Sequence, residues 1–110
     1  MLPELDAVIH APARLRLMTV LSATGKDREL SFLQLQQLTG TTAGNLSTHL
    51  RKLEEVGYVA VSKTFAERTP VTRVALTAEG RRRLASYRAD LAHYLDDGVV
   101  AELIGREGKP

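Results

Sequence analysis

The chain has 110 residues and no cysteine, and its 15 Lys and Arg residues against 13 Asp and Glu residues give a formal net charge of +2. The length fits one domain with a single core and leaves no room for a separate ligand-binding domain. The lack of cysteine excludes disulfide, thiol-redox and cysteine-metal chemistry. A hydrophobic content of 44% indicates a soluble, folded chain, and the apolar runs are too short to span a bilayer. The first ten residues lack the pattern of a secretory signal, so we expect a cytoplasmic protein without a membrane partner.

The first quarter of the chain predicts two helices. Leu2, Leu5, Val8 and Ile9 have the spacing of a short amphipathic helix. Pro12 suits the first turn of a second helix over Pro12–Ala23, which we expect to be scaffold. Its predicted inward residues are Leu17, Met18 and Leu21, and its predicted solvated cations are Arg14 and Arg16.

Residues 31–57 predict a helix-turn-helix unit. Ser31 followed by Gln34 fits a capping box at the start of the first helix, and the sequence Thr39-Gly40-Thr41 ends that helix. The predicted apolar faces are Phe32, Leu35 and Leu38 in the first helix, and Leu46, Leu50, Leu53 and Val56 in the second. At about 100° per residue, the opposite face of the second helix carries small, polar and cationic side chains. They are Gly44, Ser47, Thr48 and Arg51.

Residues 58–77 predict a β-hairpin, because the hydrophobic pattern changes from helical to alternating after Gly57. Two strands over residues 58–64 and 71–77 are joined by a polar loop over residues 65–70. The predicted inward residues are Val59, Val61, Val74 and Leu76. Positive charge along the hairpin comes from Lys63, Arg68 and Arg73, with Arg68 and Thr69 nearest the tip. These cations fit a wing that meets phosphates beside the second helix, or alternatively an exposed edge that its charges keep soluble.

A long helix is predicted over residues 78–97, with Thr77 as its N-cap. Residues 98–110 are predicted to form a C-terminal tail that frays from Gly105. Leu84, Tyr87, Leu91 and Tyr94 repeat at spacings of three and four, the pattern of a helix that packs against another helix. A helix of about 19 residues is about 28 Å long, which is more than a small core needs. We therefore predict that these residues form a dimer interface together with Leu2, Leu5 and Val8, although the same residues could instead cover the domain's own core.

The sequence resembles the winged-helix DNA-binding domains of prokaryotic transcriptional regulators, of the MarR and ArsR type and above all their small stand-alone members. The segments that carry the resemblance are residues 9–17, 30–32, 44–58, 63–65, 68–70 and 76–80. Together they span roughly residues 7–95. The resemblance implies a mainly α fold with a small β-hairpin (α+β), with one winged helix-turn-helix domain over residues 1–97. It also implies a dimer that reads DNA with the helix at residues 42–56 and with the wing.

The exposed face of the second helix carries the residue types that read a DNA major groove. Arg51 can bond guanine with two donors, Asn45 can read adenine, and hydroxyl groups can bond base edges or phosphates. Small residues at the start of the helix allow a close approach, and the helix N-terminus favours a phosphate. The predicted DNA-binding residues are Thr42, Gly44, Asn45, Ser47, Thr48, Arg51, Lys52, Lys63, Arg68, Thr69 and Arg73.

These residues predict a sequence-specific regulator that binds double-stranded DNA as a homodimer and acts as a repressor. The alternative is a winged-helix protein-interaction module that does not bind DNA. The second helix disfavours this alternative, because its exposed face has no large apolar or aromatic anchor. Because the excess of basic residues is small, we expect weak non-specific binding that salt screens easily.

The sequence contains no glycine-rich phosphate loop, HExxH motif or GxSxG motif, so we predict no enzyme activity and no cofactor. His10, His49 and His93 lie in separate elements, and His49 is predicted to be structural. Asp90 and His93 share one face of the long helix, and ArsR-type sensors bind metal between such helices. The cysteine motif of that family is missing, so we expect no metal site. The resemblance to MarR regulators implies a crevice for a small apolar effector, which no residue identifies.

Overall fold

The computed structural model of the protein describes residues 1–107. These residues form five helices and a three-stranded antiparallel sheet, in a winged helix fold of the predicted α+β class. The elements in chain order are α1 (Pro12–Ala23), β1 (Leu30–Ser31), α2 (Phe32–Thr39), α3 (Ala43–Glu55), β2 (Val59–Ala66), β3 (Thr69–Leu76), α4 (Ala78–Leu95) and α5 (Asp97–Glu107). No helix among residues 1–107 is both long and apolar enough to cross a membrane.

The helix-turn-helix unit is α2 and α3, and local hydrogen bonds set its ends. The predicted capping box of α2 is confirmed, since Ser31 Oγ accepts the Gln34 amide at 3.1 Å and Gln34 Oε1 accepts the Ser31 amide at 2.9 Å. Gly40 ends α2 with a φ of 68°, a left-handed conformation that favours glycine. Thr42 begins α3 by accepting the Asn45 amide at 3.3 Å.

The wing, defined here as residues 59–76, is a longer hairpin with a tighter turn than the sequence predicts. The turn has only two residues, Glu67 and Arg68, with φ of 50° and 71°. Positive φ at both positions is the geometry that fits the twist of a hairpin. The prediction of a loop over residues 65–70 is wrong, because Phe65 pairs with Pro70 and Ala66 with Thr69. Neither turn residue is Gly or Asn, so the usual sequence signal of such a turn is absent.

One hydrophobic core joins α1, α2, α3, the sheet and α4. The predicted inward residues of α1, Leu17, Met18 and Leu21, are all buried. The predicted inward residues of the wing lie on the core side, with Val59, Val74 and Leu76 buried and Val61 half-buried. In α3 the leucine stripe is buried as predicted, namely Leu46, Leu50 and Leu53.

Two predicted core residues of the helix-turn-helix unit are exposed. Leu38 is 61% exposed. An α-helix has 3.6 residues per turn, so residues spaced three apart are each rotated a little further around the helix, and the third residue of the series no longer faces the core. Thr39 is buried instead, and its hydroxyl donates to the Leu35 carbonyl at 2.6 Å. Val56 is exposed because it lies one residue beyond the end of α3.

Both ends of the chain differ from the prediction. Residues 1–11 contain no helix, because Asp6 Oδ1 accepts the amides of Val8 and Ile9 at 2.9 and 3.2 Å and turns the chain there. The predicted tail contains α5, which starts where Asp96 Oδ1 accepts the Gly98 and Val99 amides. The last part of the predicted tail, residues 108–110, lies outside the described residues. The long helix α4 with its Thr77 cap is confirmed.

Candidate nucleic-acid interface

The candidate interface starts from the outer face of α3. Gly44, Ser47, Thr48 and Arg51 are all exposed, on the side opposite the buried leucine stripe. The Thr48 hydroxyl donates to the Gly44 carbonyl at 3.0 Å, which leaves its lone pairs free to accept a hydrogen bond. The buried stripe fixes the rotation of α3 about its own axis. The structure therefore presents this polar face outward, as the sequence predicts.

Nothing among residues 1–107 requires a glycine at position 44. A Cβ atom built on Gly44 has no heavy atom within 4 Å, and its φ is not in the left-handed region. Glycine in a helix costs roughly 0.5–1 kcal/mol relative to alanine. The smooth surface at Gly44 is what a helix needs where another molecule comes close to its backbone.

A groove about 420 Å³ in volume separates α3 from the wing. Ser47, Arg51 and Glu54 line it from α3, and Lys63 and Thr72 line it from the wing. The groove brings together Arg51 and Lys63, two of the predicted DNA-binding cations. Lys52 is exposed but lies about 100° further round α3, away from this groove.

The structure divides the three predicted wing cations among three places. Lys63 pairs with Thr72 and shares the core side of the sheet with Val61, so it faces α3. Arg73 pairs with Ser62 and lies on the opposite side of the sheet, where it is half-buried. Arg68 is exposed in the turn, next to the exposed Thr69. The hairpin therefore does not present all three cations on one surface.

Phe65 is a candidate contact residue that the sequence reasoning missed. It lies two residues after Lys63 on the same side of β2 and is exposed. The alternation of residues 59, 61, 63 and 65 was the signal that could have placed it there. The prediction of a loop from residue 65 onward hid this signal.

Other basic side chains are occupied within the protein. Arg14 is half-buried rather than solvated, since its Nε donates to the Val8 carbonyl at 2.6 Å and its guanidinium reaches His49 Nδ1 at 3.5 Å. This contact agrees with the structural role predicted for His49. Glu79 forms ion pairs with both Arg82 and Arg83, and its one negative charge offsets one of the three positive charges that open α4.

The predicted dimer seam is partly wrong. Leu84 and Tyr87 are 1% and 3% exposed in the single protomer, so they have no surface to offer a partner. Leu5, Val8 and Leu91 are half-buried against the same core, whereas Leu2 and Tyr94 keep some exposure. The large exposed apolar side chains near this end of the molecule are instead Leu95, which is 74% exposed, and Ile104, which is 65% exposed. They belong to the end of α4 and to α5.

The described part of the chain brings no three His, Asp or Glu side chains together in a geometry that could hold a metal ion. Asp90 is half-buried and His93 is exposed, both on α4.

Comparison with known proteins identifies the fold and its family. Residues 13–95 match the family model of the winged helix DNA-binding domain. The chain belongs to this family. No curated protein matches the chain.

Solved structures contain closely similar winged helix domains. A transcriptional regulator homologue from Pyrococcus horikoshii OT3 is 32% identical and superposes with a TM-score of 0.75 over 83% of this chain and 87% of that chain. A MarR-family transcriptional regulator from Enterococcus faecalis V583 is 26% identical, with a TM-score of 0.63 over 91% of this chain and 84% of that one. NadR, solved with 4-hydroxyphenylacetate, is 23% identical and shares the fold, with a TM-score of 0.64 over 91% and 67% of the two chains. The resemblance to MarR regulators is thus confirmed for this winged helix domain.

Proposed function

We propose that the protein is a sequence-specific transcriptional regulator that binds duplex DNA as a homodimer and represses transcription by occupying its site. The observation that carries the proposal is the outer face of α3, which is small, polar and cationic and adjoins a groove shared by Arg51 and Lys63. A helix with such a face fits a major groove about 12 Å wide. The wing then lies over the flanking phosphates.

Each part of this surface has a separate task in the proposed complex. Arg51 reads a base edge, and the hydroxyls of Ser47 and Thr48 form hydrogen bonds with neighbouring base edges. Lys52 and the N-terminus of α3 bind phosphates. Lys63 and the turn residues Arg68 and Thr69 hold the backbone on the wing side. Because these cations are few, pairing two protomers is what gives useful affinity.

Selection from random duplex DNA tests the proposal directly. The protein is expected to enrich a two-fold symmetric sequence, and its affinity for that sequence should fall steeply with added salt. Fluorescence anisotropy with the selected and a scrambled duplex measures the ratio of the two affinities. Equal affinity for both duplexes across salt concentrations would contradict sequence-specific binding.

The wing offers a comparison between cations on its two sides. Lys63→Gln and Arg68→Gln are each expected to weaken DNA binding and to lower the slope of log affinity against log salt by about 1, the loss of one phosphate contact. Arg73→Gln is the matched control, since it removes a cation from the far side of the same strands. We expect it to change binding less than either other variant. An effect of Arg73→Gln as large as that of Lys63→Gln would contradict this assignment.

The homodimer is expected to pair through the end of α4 and through α5. Sedimentation equilibrium at micromolar concentration should give twice the chain mass of 12.1 kDa. Leu95→Asp and Ile104→Asp are expected to shift the mass toward the monomer, because each places a charge in an apolar contact. Leu38→Asp is the control, since Leu38 is equally exposed but lies on α2. A wild-type monomer would contradict the dimer, and dissociation by Leu38→Asp alone would place the contact elsewhere.

A small-molecule effector stays a prediction. Residues 4–7 and α4 line an open pocket about 320 Å³ in volume, in which Leu5 and Tyr87 lie beside four charged residues, Glu4, Asp6, Arg83 and Asp90. That volume is at the small end of the range of ligand pockets.

A further inference from the structure

Three elements of the fold are tied together at Gly57 and Tyr58, a pair that we call the junction. The Tyr58 amide donates to the Leu53 carbonyl at 2.9 Å, which joins the junction to the end of α3. The Tyr58 carbonyl accepts the Thr77 amide at 3.1 Å, and the Thr77 hydroxyl donates to the Gly57 carbonyl at 2.6 Å. Thr77 is also the cap of α4. The end of α3, the start of the wing and the start of α4 therefore meet at one place.

The N-terminal strap, defined here as residues 3–10, reaches the same junction through the half-buried side chain of Asp6. The Tyr58 hydroxyl donates to Asp6 Oδ2 at 2.5 Å, while Asp6 Oδ1 accepts the two amides that turn the strap. Burial raises the pKa of Asp6, but the hydrogen bonds from Tyr58, Ile9 and Val8 together with the charge of Arg83 outweigh it and hold that pKa below the usual value. Burial and the bond to Asp6 raise the pKa of Tyr58. At neutral pH the contact is thus a hydroxyl bonded to a carboxylate, a strong type of hydrogen bond.

Both ends of the strap are held on α4 by the two remaining tyrosines of the chain. The Tyr87 hydroxyl lies 2.8 Å from His10 Nδ1, and the Tyr94 hydroxyl donates to the Pro3 carbonyl. The chain has three tyrosines, so every tyrosine hydroxyl is bonded to the strap. The strap therefore connects the body of α4 to the junction by a route separate from the Thr77 cap.

We propose that Tyr58 and Asp6 are positioning residues that fix the angle between α3 and α4, and thereby the spacing of DNA half-sites that the dimer accepts. This inference rests on the proposed function. In a two-fold dimer paired through α4 and α5, the separation of the two α3 helices depends on how each α3 is set against its own α4. The junction sets that angle, and the hydrogen bond that Tyr58 donates to Asp6 restrains it. Neither side chain touches DNA in this arrangement.

The test measures binding to the selected operator and to versions with one or two base pairs added to or removed from its centre. Wild type is expected to bind the altered spacings about tenfold or more weakly, because half-site spacing follows the geometry of the dimer. Tyr58→Phe and Asp6→Ser should keep the affinity for the native spacing within about threefold and reduce the penalty for altered spacing to about threefold. The double variant should match either single variant, because both act through one bond.

A stability control separates positioning from general loosening. Leu21→Val weakens the core within α1 but leaves the Tyr58–Asp6 bond intact, so it should keep the spacing preference of wild type. Asp6→Ser keeps an oxygen that can accept the strap amides, but this single oxygen on a shorter side chain cannot also reach the Tyr58 hydroxyl, so the variant carries the test alone if Tyr58→Phe does not fold.

The outcomes distinguish this inference from the function on which it rests. Folded variants with wild-type spacing preference, or loss of that preference in Leu21→Val, would overturn the positioning role and leave the DNA-binding dimer standing. A wild-type protein that is a monomer, or that binds no duplex preferentially, would overturn both. Wild type that binds all spacings equally would overturn the positioning role alone.

Discussion

Gly80→Ala is expected to destabilise the folded protein by more than about 3 kcal/mol, the largest effect on stability that the structure indicates for a single methyl group. Gly80 is buried in the first turn of α4, where the helix crosses the junction. A Cβ atom at this position would lie 2.0 Å from the Tyr58 carbonyl oxygen and 2.8 Å from its carbonyl carbon. These are backbone atoms, so no change of rotamer relieves the clash. Relief requires α4 to move off the junction, which breaks the Thr77 cap and its bond to Gly57.

Thermal and urea unfolding followed by circular dichroism measures this effect. Gly44→Ala is the matched control, because it adds the same methyl group to a helix where nothing lies within 4 Å. We expect that variant to be as stable as wild type or more stable by about 0.5–1 kcal/mol. A Gly80→Ala protein with the wild-type midpoint would show that α4 and Tyr58 do not pack this closely.

The elements that the sequence predicts well are those with both a periodic apolar pattern and a cap. The capping box of α2, the threonine cap of α4 and Pro12 in α1 all lie where predicted. The missed elements lack one of these signals. β1 has only two residues, and the sheet partner that defines it is more than 40 residues away along the chain. Asp96 caps the start of α5, but α4 ends only one residue earlier, at Leu95. The sequence therefore predicts one helix end there and not the start of a second helix.

Periodicity predicts which residues of α4 are apolar on one side but not what covers them. Leu84 and Tyr87 have the spacing of a dimer seam, and the spacing of a helix that packs on its own core is the same. The structure shows the second arrangement. To choose between a dimer seam and packing on the domain's own core, one must know how far along α4 the core extends. That distance depends on the tertiary fold.

The outward polar face of α3 was predictable because three buried leucines on one side of the helix fix what lies on the other. The division of the wing cations was also within reach of the sequence. Val61 and Val74 were predicted inward, so strict alternation places Lys63 on the same side and Arg73 on the other. The strap and the junction were not predictable in this way. The strap depends on hydrogen bonds between residues 52 and 77 positions apart, and the junction depends on a bond between residues 20 positions apart, so no local pattern encodes either of them.

Arg51→Ala is expected to have the largest effect on recognition, a loss of about 1–3 kcal/mol of binding to the selected operator and relaxed preference at one base position. Arg51 lies in the groove between α3 and the wing, on the face that meets base edges in the proposed complex. The side chain is exposed, so the stability of the free protein should change by less than about 0.5 kcal/mol. Anisotropy titrations with the operator and its single-base variants measure the loss position by position.

Lys52→Ala is the comparison that shows whether Arg51 reads sequence or only supplies charge. Lys52 adjoins Arg51 in the chain and is equally exposed, but it lies on the flank of α3 away from the groove. Its removal should weaken operator and scrambled DNA by the same factor and lower the salt slope by about 1, as the loss of one phosphate contact does. Removal of Arg51 should instead spare scrambled DNA and weaken the operator. If both variants lose affinity equally for both duplexes, then Arg51 contacts the phosphate backbone, and base recognition by α3 must come from its uncharged residues.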